Sequence, residues 1–140
     1  MARSSRPSEE TSTDKSNSYE GLARRYRPQT FEDVVGQRHV VGTLVKAVEL
    51  RRWASAYLFV GGRGLGKTTM ARLLAKAVNC EKGPTPLPCG SCAICTDIAA
   101  GRDIDVFEID AASNTGVDHV RDTIIQAVST SPARGRARIV

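Results

Sequence analysis

The chain has 140 residues, enough for one domain with a real core and too few for two ordinary ones. Charged residues make up 25% and apolar residues 41%, the balance of a soluble globular protein, and no apolar run approaches the length of a membrane-spanning helix. The net charge of +5, with arginines grouped at Arg24, Arg25 and Arg27 and again at Arg134, Arg136 and Arg138, suits an anionic partner without requiring one.

Met1 to Ser18 holds six serines, two threonines and almost nothing apolar, and reads as a disordered polar tail. It lacks the hydrophobic stretch of a secretory signal, and Glu9, Glu10 and Asp14 argue against an organellar leader, so the expected location is the cytoplasm. Tyr19 to Gly36 mixes arginine, proline and aromatic residues without periodicity, as an ordered arm of irregular backbone does. From Arg38, the residues Val40, Val41, Leu44, Val45 and Val48 place one apolar stripe on a helix ending near Arg52. Tyr57 to Val60 has the look of a buried parallel strand closed by glycines. A second helix follows, with Ala71, Leu74, Ala75 and Val78 on one face. Gly83, Pro84, Pro86, Pro88 and Gly90 make the stretch from Cys80 to Cys95 loop-rich, and Ile94 to Ala100 forms a short helix that Gly101 ends.

Ile104 to Ile109 reads as a second strand and Asp110 to Gly116 as a polar turn. Val117, Val120, Ile124 and Val128 mark a third long helix, Pro132 to Arg138 another turn, and Ile139-Val140 the opening of a third strand. This alternation predicts an α/β domain around a parallel sheet.

Two motifs carry chemistry. Gly61-Gly62-Arg63-Gly64-Leu65-Gly66-Lys67-Thr68 fits the G-x-x-x-x-G-K-[ST] phosphate loop. Its glycines open backbone angles closed to other residues and let N–H groups point inward at phosphate oxygens. The helix that starts near Lys67 adds its positive dipole end, with Thr69 in its first turn. Lys67 is expected to reach the β- and γ-phosphates of ATP, and the Thr68 hydroxyl to ligate Mg²⁺. The four fixed positions arise by chance about once in 200 chains of this length at average composition, and here they fall between a strand and a helix, where the motif must lie.

The four cysteines occur within sixteen positions as Cys80-x8-Cys89-x2-Cys92-x2-Cys95. Two C-x2-C spacings let thiolates converge on one ion, and a more distant fourth closes a tetrahedron with no open position, which points to a structural Zn²⁺ site. Two disulfides are the competing reading, disfavoured in a cytosolic chain, and a C-x-x-C redox pair leaves two cysteines unexplained.

The arm Leu22-Ala23-Arg24-Arg25-Tyr26-Arg27-Pro28-Gln29-Thr30-Phe31 continues through Glu32-Asp33-Val34-Val35-Gly36-Gln37, and this run resembles the opening of the bacterial DNA polymerase III gamma/tau subunits. The likeness extends through Ala56 to Phe59, the phosphate loop, the cysteine insertion, Glu108 to Val117, and Pro132 to Arg136. The resemblance implies an AAA+ ATPase domain over 19–140, a three-layer parallel-sheet P-loop fold with the zinc module at 80–95 inserted. Its implied work is ATP-driven loading of a ring-shaped sliding clamp onto primer-template DNA. Its implied setting is a hetero-oligomer with delta and delta-prime subunits, within a holoenzyme whose polymerase chemistry belongs to another subunit.

By the same resemblance, Tyr26, Arg27, Pro28 and the Val34-Val35 pair lie near the adenine and ribose, with ordinary arm-to-core packing as the alternative. Arg121 becomes a DNA phosphate contact, with Asn114 and Thr115 as weaker ones. The acidic residue that holds Mg²⁺ is expected just beyond Val140, on the strand Ile139 begins, so the 140 residues read as a fragment with low stability and no turnover of its own. An independent zinc module that binds nucleic acid, or an inactive truncated product, are the alternatives, and nucleotide titration separates the first of these from an ATPase.

Overall fold

The computed structural model describes residues 21–109 and 117–140, and among these the side chains of residues 117–120 and 123 are left aside. The polar tail and the turn expected at 110–116 lie outside the described residues. Five helices are present among the described residues: α1 (Leu22–Arg25), α2 (Arg38–Glu49), α3 (Lys67–Asn79), α4 (Ala93–Ala100) and α5 (Val117–Ser129).

The architecture centres on α3, which packs against α2 on one side and α4 on the other. From Leu73 to Asn79 every residue of α3 is buried, more than the single face its sequence predicts, because two cores share it. Leu44 and Val48 of α2 meet Met70, Leu73, Leu74, Ala77 and Val78 of α3, and Phe31 closes this core from the arm. On the opposite face Ala75 meets Ile94 and Ile98 of α4, with Val106 and Ile139 packed alongside. The helix α2 stops at Glu49, a turn short of Arg52, where Arg51 takes a left-handed conformation at φ +52°.

The expected sheet is reduced, among the described residues, to one parallel bridge between Val106 and Ile139. Its bonds run from Phe107 N–H to the Ile139 carbonyl and from Ile139 N–H to the Asp105 carbonyl, both 2.8 Å. Second and third strand runs are therefore parallel neighbours, as the α/β pattern requires, but Tyr57 to Val60 is not a strand here. No backbone hydrogen bond joins this run to any described residue, and Leu58 and Val60 are 88% and 84% exposed. Extended backbone becomes a strand only when a neighbour supplies partners for its N–H and C=O groups. Helix α5 is similarly uncovered: Ala127 is buried, while Ile124 and Val128 border an open groove of about 520 Å³ with Trp53, Tyr57, Leu74 and Val140.

Candidate nucleotide loop and metal centre

The loop from Gly61 to Gly66 turns directly into α3, and Gly66 is the residue at the helix N-cap, at φ +78°. That left-handed angle, shared by Gly64 at φ +84°, is the one at which a side chain costs about 1 kcal/mol or more. No side chain caps α3, so its first N–H groups stand open at the loop mouth, the arrangement that attracts anions. The Lys67 ammonium bends back over the loop and donates to the carbonyls of Gly61 at 3.0 Å and Gly62 at 2.7 Å.

Lys67 and Phe59 border two cavities at once. One, of about 450 Å³, is walled by Gln37, His39, Val40, Thr43, Leu65 and Met70. The other, of about 350 Å³, is walled by Thr68, Arg72, Phe107, Glu108, Ile139 and Val140. Arg72 forms a two-pronged ion pair with Glu108, its Nη2 lying 2.7 Å from Oε2, and this guanidinium holds the Glu108 carboxyl below its ordinary range. Thr68 and Arg63 are exposed and Thr69 is half-buried.

Of the arm residues expected near the base, Arg27 turns to a different cleft, bordered by Arg24, Arg25, Gln29 and Arg72. Val35 is 96% exposed and borders neither cavity beside the loop. Gln37 and His39, which the sequence gives no reason to choose, border the larger one instead. Arg121 is exposed on α5, and Asn114 and Thr115 fall outside the described residues.

The four cysteines converge as their spacing requires. The Sγ atoms of Cys80, Cys89, Cys92 and Cys95 all lie within 4.8 Å of one another. Tetrahedral thiolates about 2.3 Å from one ion stand roughly 4 Å apart, so the cage fits Zn²⁺ closely. Each sulfur but the last is tied to the next ligand by the chain itself: Cys89 N–H donates to Cys80 Sγ, Cys92 N–H to Cys89 Sγ and Cys95 N–H to Cys92 Sγ, each at 3.4 Å. The last of these makes Cys92 the N-cap of α4, which explains why the helix begins at Ala93. Backbone N–H groups of Ser91 and Cys92 hold the Cys89 thiol down to about 6, in the thiolate form a metal requires, while burial pushes the Cys95 thiol up.

Lys76 is buried one turn before Cys80, and its ammonium donates to Gln29 Oε1 at 2.6 Å. Burial lowers its pKa and the nearby Cys95 sulfur opposes that shift. A divalent ion held by four thiolates would carry net negative charge, and the Lys76 ammonium stands near that cage. The helical pattern alone marks Lys76 as a solvated residue, so its role is invisible in the sequence.

Together the loop and the thiol cage define a chain of phosphate-loop type with a four-cysteine insertion. A family model described as DNA polymerase III, delta subunit, matches residues 36–140, and the chain belongs to that family. It is 54% identical over 122 residues to the DNA polymerase III subunit tau of Salmonella typhimurium (strain LT2) and to that of Escherichia coli (strain K12), covering 87% of this chain. It is 55% identical over 105 residues to the subunit tau of Bacillus subtilis (strain 168), covering 75% of this chain. The chain spans 19% of the length of each of these relatives.

Proposed function

We propose that these residues are the nucleotide-binding opening of a clamp-loader ATPase subunit in bacterial DNA replication. The carrying observation is the loop itself: an uncapped helix start at Gly66, with the Lys67 ammonium resting on the Gly61 and Gly62 carbonyls. A triphosphate replaces those carbonyls as the partner of Lys67 and takes up the open N–H groups. Thr68, which borders the cleft shared with Glu108 and Ile139, would offer its hydroxyl to Mg²⁺, which would neutralise charge on the β- and γ-phosphates. Residues 61–69 contribute the phosphate site, and the cavity beside Gln37 and His39 is the space open to the base. Arg27 and Val35 join it when the arm folds over the nucleotide.

On this reading the full AAA+ domain is a three-layer parallel sheet, in which further strands pair with Tyr57 to Val60. The cytoplasmic assembly includes delta and delta-prime subunits, the sliding clamp and primer-template DNA. Arg121, with Asn114 and Thr115, contacts the DNA backbone. Cys80, Cys89, Cys92 and Cys95 hold a structural Zn²⁺.

Calorimetric titration of ATP into the full-length gene product tests the proposal. Wild-type protein binds, and Lys67→Ala, which removes only the ammonium and its stem, loses at least tenfold in affinity, as expected for a charge-assisted contact to phosphate. Equal affinity in the two proteins overturns it.

A further inference from the structure

The segment from Ala133 to Arg138 has no helix or strand of its own, and several of its bonds lead to residues adjoining the thiol cage. Asn79, fully buried, immediately precedes Cys80. Its Oδ1 accepts from the N–H groups of Arg136 at 2.9 Å and Ala137 at 2.8 Å, and its Nδ2 donates to the Ala137 carbonyl at 2.8 Å. The approach is close: a Cβ on Gly135 would stand 2.8 Å from the Asn79 amide carbon, so only glycine fits there. The Arg136 guanidinium donates to the carbonyl of Cys80 itself and to that of Glu81 at 3.3 Å. From the other side, Arg134 Nη2 reaches Asp97, two residues past Cys95, at 2.8 Å, and Asp103 at 2.9 Å. One residue beyond this segment, Ile139 makes the one parallel bridge among the described residues, and Ile139 and Val140 wall the cleft that contains Lys67 and Thr68.

We propose that the metal centre fixes where Ile139 and Val140 stand against Thr68, with Asn79 and Arg136 as the positioning residues that carry the coupling. The proposal rests on the zinc reading of the four cysteines. A ligated Cys80 holds its own peptide in place, and Asn79 is one Cα–Cα step of about 3.8 Å away. The amide that grips the 136–137 backbone and the carbonyl that Arg136 reads are therefore both referenced to the ion. An empty cage leaves four thiols without a common partner, and the Cys80 peptide turns away from Arg136. The coupling passes through contiguous hydrogen bonds between rigid groups. Asp105 is the competing anchor, since its carboxylate also grips this segment without reference to the cage, accepting from Ala133, Arg134 and Gly135.

Amide hydrogen exchange of the full-length gene product separates the two, with zinc content measured on the same samples. The readouts are the Ile139 and Phe107 amides, which touch neither Asn79 nor any cysteine. Stripping zinc speeds their exchange about tenfold or more while the α2 amides stay protected. Zinc-loaded Asn79→Ala gives the same increase with one equivalent of metal retained, and Arg136→Ala, which leaves the buried amide in place, gives a smaller increase at the same two positions. A protein that takes up no zinc overturns the metal reading and the coupling together. A protein that binds zinc but exchanges these amides at one rate with and without it overturns the coupling alone.

Discussion

Two halves of this molecule satisfy their backbone in opposite ways. Around the end of α3, the cysteine loop, α4 and residues 133–139, buried polar groups find partners within the chain, the Arg138 Nε excepted. Asp105 accepts three backbone N–H bonds, Asn79 grips both sides of Ala137, and the sulfurs of Cys80, Cys89 and Cys92 each accept from the next cysteine's N–H. Tyr57 to Val60 is laid out without backbone partners among the described residues, and α5, though helical, leaves Ile124 and Val128 uncovered. The difference teaches what a local patch needs. Side-chain ligands and carboxylates close their bonds over a loop of any length, whereas a parallel strand is nothing until another strand lies beside it.

The sharpest way to break this comparison is to disable the proposed zinc site in the satisfied half. Structural zinc contributes on the order of 10 kcal/mol in small metal-held folds, and the cage organises α4 through its Cys92 N-cap. Cys95→Ser is therefore expected to bind no stoichiometric zinc and to expose residues 80–100 to proteolysis, with the Lys67 loop cleaved no faster than before. Equal resistance of 80–100 in the wild type and the variant would mean that the fold there is held by Ile94 and Ile98 packing alone.

The smaller second effect lies at Asp105. Burial works against its carboxylate, yet the N–H groups of Gly135, Ala133 and Arg134 together with Arg138 bring its pKa to about 2 from the ordinary 3.8. The unfolded chain thus takes up the proton first as pH falls. The stabilisation is complete above about pH 4 and disappears as pH drops through about 2. Asp105→Asn puts an amide nitrogen where an oxygen must accept, at a cost of about 1–3 kcal/mol for the donor left unpaired in a buried site. Urea unfolding of the full-length protein at pH 7 should show a lower midpoint for the variant, and the gap should narrow at pH 3. A gap independent of pH would remove the carboxylate's charge from the explanation.

These contrasts also mark what was legible in the sequence. The cysteine cage was, because ligand type and short spacing carry their own geometry, and the helices α2, α3 and α4 followed from apolar period and glycine stops. The phosphate loop was legible in pattern and in its place before α3. Asn79 and Asp105 were not: their partners are 28 to 58 residues away, and in one dimension a buried Asn or Asp looks like any polar loop residue. The sheet was legible only as a tendency. Tyr57 to Val60 has the composition of a buried strand, but burial is conferred by neighbours. In the arm, composition alone does not say which apolar residue packs: Val35 is solvent-exposed while Phe31 supplies the core contact.

The smallest effect expected in the 140-residue chain is also the one that best sharpens the comparison. Leu58 is 88% exposed, and substituting a residue without contacts changes stability by less than about 0.5 kcal/mol. Leu58→Ala in the 140-residue chain should therefore leave the urea midpoint where it was. In the full-length gene product, where the proposed sheet covers this run on both sides, the same change removes a buried leucine and should cost about 2–5 kcal/mol. Leu22→Ala, on the exposed arm helix α1, serves as the control that stays near zero in both. A Leu58 cost that is small in both contexts would show that no strand ever lies against Tyr57 to Val60, and the parallel-sheet reading of this half would fall while the half around the cysteine cage stood unchanged.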